Sequence, residues 1–146
     1  MKLEQIVELW DKDSVIDKTE AGQESLNIPY VHNRYYKMLI QERLEYKRLD
    51  TKHAELVKTM TEYYKGTLSE DEHKELGLDP FPMRLLKEDI PQYIKTNPTV
   101  AQSALQLALQ NEKVEYLVEI LRVINNRGYQ IKNYIDFLKF TNGYSS

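Results

Sequence analysis

Residues 33–66 read NRYYKMLIQERLEYKRLDTKHAELVKTMTEYYKG, and this stretch decides the fold. It contains no proline, and its only glycine is the last residue, Gly66. Within it, nine positions follow one another in alternating steps of four and three residues. Two of these positions, Glu42 and His53, are polar. Its apolar and aromatic positions are Tyr35, Leu39, Tyr46, Leu49, Leu56, Met60 and Tyr63. The spacing predicts a heptad seam on one helix about 50 Å long, which must pack against the rest of the chain or other copies.

The chain before this stretch predicts one short amphipathic helix over residues 1–12, followed by a weakly patterned segment. Gly22 and Pro29 punctuate that segment, so we expect the long helix to begin at Asn33. Gly66 has the residue type that commonly follows the last turn of a helix, so we expect the helix to end there.

The chain after Gly66 predicts shorter elements and then a second long helical region. Ser69 and Glu72 have the spacing of a capping box, and Asp79-Pro80-Phe81-Pro82 must be a non-helical elbow. Asn97 followed by Pro98 predicts the start of a helix. That region is expected to end at Gly128, with a last helix after it.

No stretch shows the alternation that is typical of strands, so the predicted fold class is all-α. We expect one long amphipathic helix and a C-terminal helical bundle in a single domain. Its predicted parts are an N-terminal segment with the long basic helix, a linker with short helices, and the C-terminal helices that oligomerise, over residues 1–66, 67–97 and 98–146.

The composition excludes several classes of function. The 146 residues include no Cys, which excludes disulfides, thiolate metal sites and cysteine nucleophiles. No apolar run is long enough to cross a membrane, and the acidic N-terminus does not resemble a signal peptide. The three His residues lack metal-binding spacing, and no glycine-rich phosphate loop occurs. We therefore expect a protein that is not an enzyme and binds no metal or cofactor.

The basic charge is concentrated on the long helix. Residues 30–66 contain eight Lys or Arg and five Asp or Glu, a local charge of +3 in a chain whose net charge is −3. A basic face on an acidic protein indicates a polyanionic partner. The alternative is a solvated helix face with ordinary ion pairs between neighbouring turns.

Two clusters place cations beside aromatic rings. In the first, Lys58 and Lys65 are seven residues apart, hence on one helix face, and Tyr63 and Tyr64 lie between them. A tyrosine at this place could stack on unpaired bases, or it could belong to the seam. The second cluster is Arg127-Gly128-Tyr129-Gln130 with Lys132, and its alternative interpretation is the cap of a helix end.

These clusters resemble, in their order and spacing, the UvsY family of phage recombination mediators, and the resemblance covers almost the whole chain. The matching positions are Leu3-Glu4, Asp13, Ile16, Asp17, Thr19, Lys58, Tyr63-Tyr64-Lys65-Gly66, Pro80-Phe81, Leu86-Lys87, Asp89, Tyr93, Arg127, Tyr129, Ile131-Lys132, Phe140 and Gly143. Lys58 matches the family's basic stretch, but Met60 stands at its second basic position. Lys65 and Arg48 are the candidates to compensate for that loss.

The resemblance implies a mediator that binds single-stranded DNA and helps a RecA-type phage recombinase replace the single-strand-binding protein. It also implies a ring of six or seven identical subunits, without a membrane, in the cytoplasm of an infected bacterium. Such a protein serves homologous recombination, repair and recombination-dependent replication. The side chains that we expect to contact DNA are Lys58, Lys65, Tyr64, Arg48, Arg127 and Lys132.

The apolar faces of both long helical regions exceed what one small chain easily covers, so we expect the C-terminal helices to form the subunit interface. The interface residues predicted there are Val114, Leu117, Val118, Leu121, Ile124, Ile131 and Ile135. The alternative function is a coiled-coil structural or scaffold protein with no nucleic-acid role, since the long seam alone would serve it equally well.

Overall fold

A computed structural model describes residues 1–143, and within them every regular element is helical. Five α-helices follow in chain order: α1 (Leu3–Asp13), α2 (Ala21–Lys65), α3 (Glu70–Leu76), α4 (Ile90–Thr96) and α5 (Pro98–Thr141). A single 3₁₀ turn, Lys18–Glu20, precedes α2. The all-α prediction is therefore confirmed, and no described helix is long and apolar enough to cross a membrane.

The chain divides into two compact units. Unit 1 contains residues 1–43 and 112–146, of which the last three lie outside the described residues, and unit 2 contains residues 44–111. The helices α2 and α5 each contribute residues to both units. Each unit thus combines residues from more than one of the three segments predicted from the sequence.

The core of unit 1 joins α1, α2 and α5. Its buried side chains are Ile6, Tyr35, Leu39, Leu117, Ile120, Leu121 and Ile124. The ring of Trp10 meets that of Tyr35 edge-on, with centroids 5.5 Å apart. The Tyr35 hydroxyl donates a hydrogen bond of 2.7 Å to Asp13 Oδ2, and Arg34 forms an ion pair with the same carboxylate. Burial of the ring raises the Tyr35 pKa.

The helix α2 begins twelve residues earlier than the sequence predicted, and Pro29 lies inside it. The Asp17 carboxylate accepts hydrogen bonds from the Thr19 amide and hydroxyl, which forms the turn from which α2 starts. A proline removes a backbone donor and ordinarily disfavours a helix interior. Here Ile28 and Val31, on either side of it, pack against the unit 1 core, so tertiary contacts outweigh the local preference.

The helix α5 continues through Gly128, so the predicted break at this residue is wrong. A side chain at Gly128 would meet Ile28 at 3.9 Å, which places this glycine beside α2 rather than at a helix end. Ile124 and Ile131, on the neighbouring turns, are buried and hold the helix in place. The C-terminal region is one helix of 44 residues, and it ends at Thr141, before Gly143.

The two polar positions of the α2 seam both have partners on α5. In unit 1, Glu42 is 7% exposed and lies 3.7 Å from the Lys113 ammonium. In unit 2, His53 Nδ1 and Ser103 Oγ are 3.0 Å apart. The seam residue Met60 is also buried, as its heptad position requires.

Unit 2 contains the shorter helices and the turns between them. The α2 helix ends before Gly66, whose φ of +75° is the left-handed conformation expected of a residue that ends a helix. The Ser69 hydroxyl accepts from the Glu72 amide at 3.2 Å, and the reciprocal bond completes the predicted capping box of α3. Asn97 Oδ1 caps the start of α5 at Pro98, as predicted.

Candidate nucleic-acid interface

Four aromatic rings of unit 2 form one cluster where α2 ends. Tyr63, Tyr64, Phe81 and Tyr93 lie with centroids 5.1–6.0 Å apart, mostly edge to face. The Tyr63 hydroxyl donates to the Asp79 carbonyl at 2.9 Å, which attaches the non-helical elbow to α2.

The side chain of Asn97 donates to the Tyr64 hydroxyl at 3.1 Å, which ties the start of α5 to the same cluster. Tyr64 is therefore half-buried and touches three other rings. Its role as a stacking platform for bases stays a prediction, and its structural role in joining α2, the elbow and α5 is evident from these contacts.

A cleft of about 530 Å³ opens beside this cluster. Its lining combines the aromatic residues Tyr63, Tyr64 and Phe81 with the cations Lys65 and Arg84, and we call it the aromatic cleft. Rings beside cations are the combination that single strands require, because bases stack on the rings while phosphates meet the charges. The arrangement can therefore bind an extended polyanion that has exposed planar groups.

Lys58 and Lys65 are both exposed on α2, two turns and about 10 Å apart along its axis. Neither has an ion pair or hydrogen bond within the described part of the chain. Arg48, by contrast, donates two hydrogen bonds to Glu45, at 2.8 and 2.5 Å. That pairing raises the pKa of Arg48 and partly neutralises its charge, so it is a weaker candidate for a phosphate contact.

The second predicted cluster lies in unit 1, and its two cations differ. Lys132 is exposed and lies 3.7 Å from the Asp136 carboxylate. Arg127 is only 3% exposed, its guanidinium donates to the Asp13 carbonyl at 2.5 Å, and its carbon lies 5.6 Å from the Trp10 ring centroid. Burial lowers the Arg127 pKa. The burial of this side chain against α1 argues against a contact between Arg127 and DNA, and that contact stays a prediction.

The predicted subunit interface is also partly occupied within the chain. Leu117, Leu121, Ile124 and Ile131 are at most 7% exposed, and the first three belong to the unit 1 core. They offer no surface to a neighbouring subunit in this arrangement. The other predicted interface residues, Val114, Val118 and Ile135, are half-buried or exposed, and for them the interface stays a prediction.

The sequence did not indicate three cations of unit 2 that lie beside the predicted ones. Arg84 lines the aromatic cleft, and Lys87 and Lys95 line a second cleft together with Lys65. Residues 67–98 have a net charge of −3, which concealed them. The elbow is the feature of the sequence that could have indicated them, because a turn held against α2 brings the residues after the turn back to α2.

Comparison with known proteins agrees with this architecture. The model of a family described as "recombination, repair and ssDNA binding protein UvsY" matches residues 9–144. No curated protein sequence matches the chain. Crystal structures of the bacteriophage T4 recombination mediator protein UvsY share its fold at 21% sequence identity.

One of these lattice forms has a TM-score of 0.86 and covers 97% of this chain and 98% of that one. Another has a TM-score of 0.85, with coverage of 96% and 99%. The family match spans nearly the whole length of the sequence, and the shared fold spans it as well. The chain therefore belongs to the UvsY family of recombination, repair and single-stranded DNA-binding proteins.

Proposed function

We propose that this chain is a recombination mediator that holds single-stranded DNA along the Lys58–Lys65 face and the aromatic cleft. It then helps a RecA-type phage recombinase form its filament in place of the single-strand-binding protein, in the cytoplasm of the infected host. Family membership gives the general role in recombination, repair and single-strand binding, without an enzymatic activity. The T4 protein that shares this fold is a recombination mediator, which supports the more specific step.

The observation that carries the proposed site is the position of Lys65. It continues the face of Lys58 on α2 and also lines the aromatic cleft with Arg84. A strand that follows this path meets three cations and then aromatic rings. Nothing in the site reads base edges, so binding is expected to be independent of sequence.

A few cations on one protomer give weak binding, with a Kd on the order of 10⁻⁴ M. Repeating the site around a ring of identical subunits raises the avidity by about 10²–10⁴. Such a ring holds a strand firmly as a whole, whereas each single contact is weak enough to be released. This combination suits a protein that must transfer the strand to a recombinase.

The test of the site is the anisotropy of a labelled single-stranded oligonucleotide at several salt concentrations. Lys58→Ala, Lys65→Ala and Arg84→Ala should each weaken binding and reduce the magnitude of the salt slope by about 0.7. Lys52→Ala is the matched control, because Lys52 is exposed on the same helix but about 120° away from Lys58. Equal effects of Lys52→Ala and Lys58→Ala would reject this site.

The test of mediation uses strands already covered with the phage single-strand-binding protein. The parent chain should speed the displacement of the labelled binding protein by the recombinase, and Lys58→Ala/Lys65→Ala should not. If the parent chain binds DNA but leaves displacement unchanged, the mediator role fails while the binding site stands. If it binds no DNA at low salt, the alternative of a structural coiled-coil protein is favoured.

A further inference from the structure

A second cleft in unit 2 has walls from α2, α4 and α5 and a volume of about 520 Å³. We call it the aliphatic cleft, since its apolar lining is Val57, Ile90, Pro91, Ile94, Val100, Ala101 and Ala104. Ile90 and Val100 are buried, whereas Ala101 and Ala104 remain exposed. The cleft thus combines a packed floor with an open apolar side, at a volume that is typical of ligand sites.

Three lysines line the same cleft, Lys65, Lys87 and Lys95, and no acidic side chain lines it. All three are exposed, and none has an ion pair or hydrogen bond among residues 1–143. Their charges are therefore available to a ligand. Aliphatic surface bordered by unpaired cations is complementary to a ligand that has aliphatic groups and carboxylates together.

We propose that the aliphatic cleft binds an acidic, amphipathic peptide segment of a partner protein. Leu-, Ile- or Val-type side chains of that segment would occupy the space between α2, α4 and α5, and its Glu or Asp side chains would meet Lys87 and Lys95. This is the arrangement in which an amphipathic helix lies in a groove with its apolar face inward. The partner is defined by this chemistry.

Single-stranded DNA fits the aliphatic cleft less well than a peptide does. The lining of this cleft contains no Phe, Tyr or Trp, and its one imidazole, that of His53, lies 3.0 Å from Ser103 Oγ through Nδ1. Bases would therefore find less to stack on here than in the aromatic cleft, which offers three larger rings. A second copy of this chain is also disfavoured as the source of the peptide. Its acidic amphipathic helix α1 already buries Ile6 in the unit 1 core and is not free to dock elsewhere.

The binding test uses the anisotropy of a fluorescein-labelled helical peptide with Leu on one face and Glu on the other. The full chain should bind this peptide and should not bind the same peptide with Lys in place of each Glu. Lys87→Glu/Lys95→Glu should weaken binding about tenfold or more, because both attractions become repulsions. Equal binding of the acidic and basic peptides would overturn the proposal.

Ala104→Glu tests the apolar wall, because it places a carboxylate where an aliphatic side chain should dock. Peptide affinity should fall about tenfold or more. Ala108→Glu is the matched control, with the same charge change one turn further along α5, outside the cleft lining. It should leave affinity within about twofold of the parent. Circular dichroism of both variants tests whether each is folded. If Ala104→Glu does not fold, the double variant Lys87→Ala/Lys95→Ala, at exposed positions, gives an independent result.

The same variants separate this inference from the proposed DNA site. Lys58→Ala should lower the affinity for the oligonucleotide and leave the affinity for the peptide unchanged. Ala104→Glu should lower the affinity for the peptide and, compared with Ala108→Glu, leave the affinity for the oligonucleotide unchanged. If the oligonucleotide competes with the peptide and depends on Ala104, the aliphatic cleft is part of the DNA site and the proposal is overturned. Dissociation of the oligomer by Ala104→Glu, seen by sedimentation, would overturn it in favour of a subunit interface.

Discussion

Units 1 and 2 use residues of the same two long helices for different purposes. In unit 1 the seam side chains Tyr35 and Leu39 are almost completely buried, and the Tyr35 hydroxyl and the Arg127 guanidinium each donate a hydrogen bond to Asp13. In unit 2 the rings of Tyr63 and Tyr64 border an open cleft, and Lys58 and Lys65 carry charges without partners among the described residues. These side chains of unit 1 belong to a packed core, whereas those of unit 2 border open surface that the proposed function would use.

This difference shows that the long helix is not uniformly a coiled-coil seam. Its N-terminal part contributes Tyr35 and Leu39 to a packed three-helix core, beside which the cation Arg127 is buried against α1. Its C-terminal part leaves the cations Lys58 and Lys65 exposed, where their charges are available to a ligand. Substitutions in unit 1 should therefore change stability more than DNA affinity, and substitutions of unit 2 lysines should do the opposite.

The largest effect on stability should come from Ile124→Ala in unit 1. Ile124 has no exposed surface, so the substitution removes buried methyl groups and leaves a cavity. We expect a loss of about 2–5 kcal/mol in the free energy of unfolding, measured by urea denaturation followed by circular dichroism. The folded fraction should bind the oligonucleotide as the parent does.

The matched control for Ile124→Ala is Val123→Ala, the neighbouring residue on α5, which is 37% exposed. Its effect should stay within about 0.5 kcal/mol, because little buried surface is lost. If both substitutions destabilise the protein equally, the side of α5 that forms the core is assigned incorrectly. If Ile124→Ala affects only the oligomer, this residue belongs to a subunit interface instead.

Arg127→Ala should have the next largest effect, and it separates the structural role from the predicted role in DNA binding. The substitution leaves the Asp13 carbonyl without its donor and removes the cation beside Trp10. A loss of about 1–3 kcal/mol in stability is expected. Oligonucleotide affinity should remain within twofold of the parent. Reduced affinity with unchanged stability would instead place this guanidinium on the DNA surface.

Most of the helical architecture could be predicted because its signals are local. The end of α2 at Gly66, the cap at Ser69 and the start of α5 at Pro98 each depend on a few neighbouring residues. The wrong boundaries arose at Pro29 and Gly128, two residues whose intrinsic preferences disfavour a helix interior. Packing against other helices outweighs those preferences, and the local pattern of residues does not reveal which helices will pack together.

The candidate site could be predicted only where its residues share one helix. The seven-residue spacing of Lys58 and Lys65 places them on one face, so the sequence was sufficient. Arg84, which follows the elbow, and Lys95, which lies on α4, share clefts with Lys65 only because the chain folds back on α2. Predicting them therefore requires the tertiary structure. The burial of Arg127 was missed for the same reason, since it depends on α1 covering this part of α5.

Tyr63→Phe tests how firmly the elbow is held in unit 2. It removes the hydrogen bond to the Asp79 carbonyl but keeps the ring in its cluster. We expect a loss of about 0.5–1.5 kcal/mol in stability and little change in oligonucleotide affinity. Tyr30→Phe is the control, because Tyr30 is 67% exposed. A large loss of affinity in Tyr63→Phe would show that the elbow must be fixed in place for DNA to bind.

The smallest effect concerns the turn that starts α2 in unit 1. The Thr19 hydroxyl and then its amide donate to Asp17, and these bonds lower the pKa of the Asp17 carboxyl. Since the pKa is lower in the folded state, the resulting stabilisation is present at neutral pH and is lost as the pH falls through the folded pKa. Thr19→Val removes the hydroxyl, so the Asp17 pKa should rise towards its ordinary value. The stability difference between parent and variant should vanish at acid pH, where Asp17 is protonated in both.

Carboxyl NMR titration of both proteins measures the shift in the Asp17 pKa. Thr51→Val, at an exposed position within α2, is the control. An Asp17 pKa that is unchanged in Thr19→Val would show that the turn does not depend on this hydroxyl.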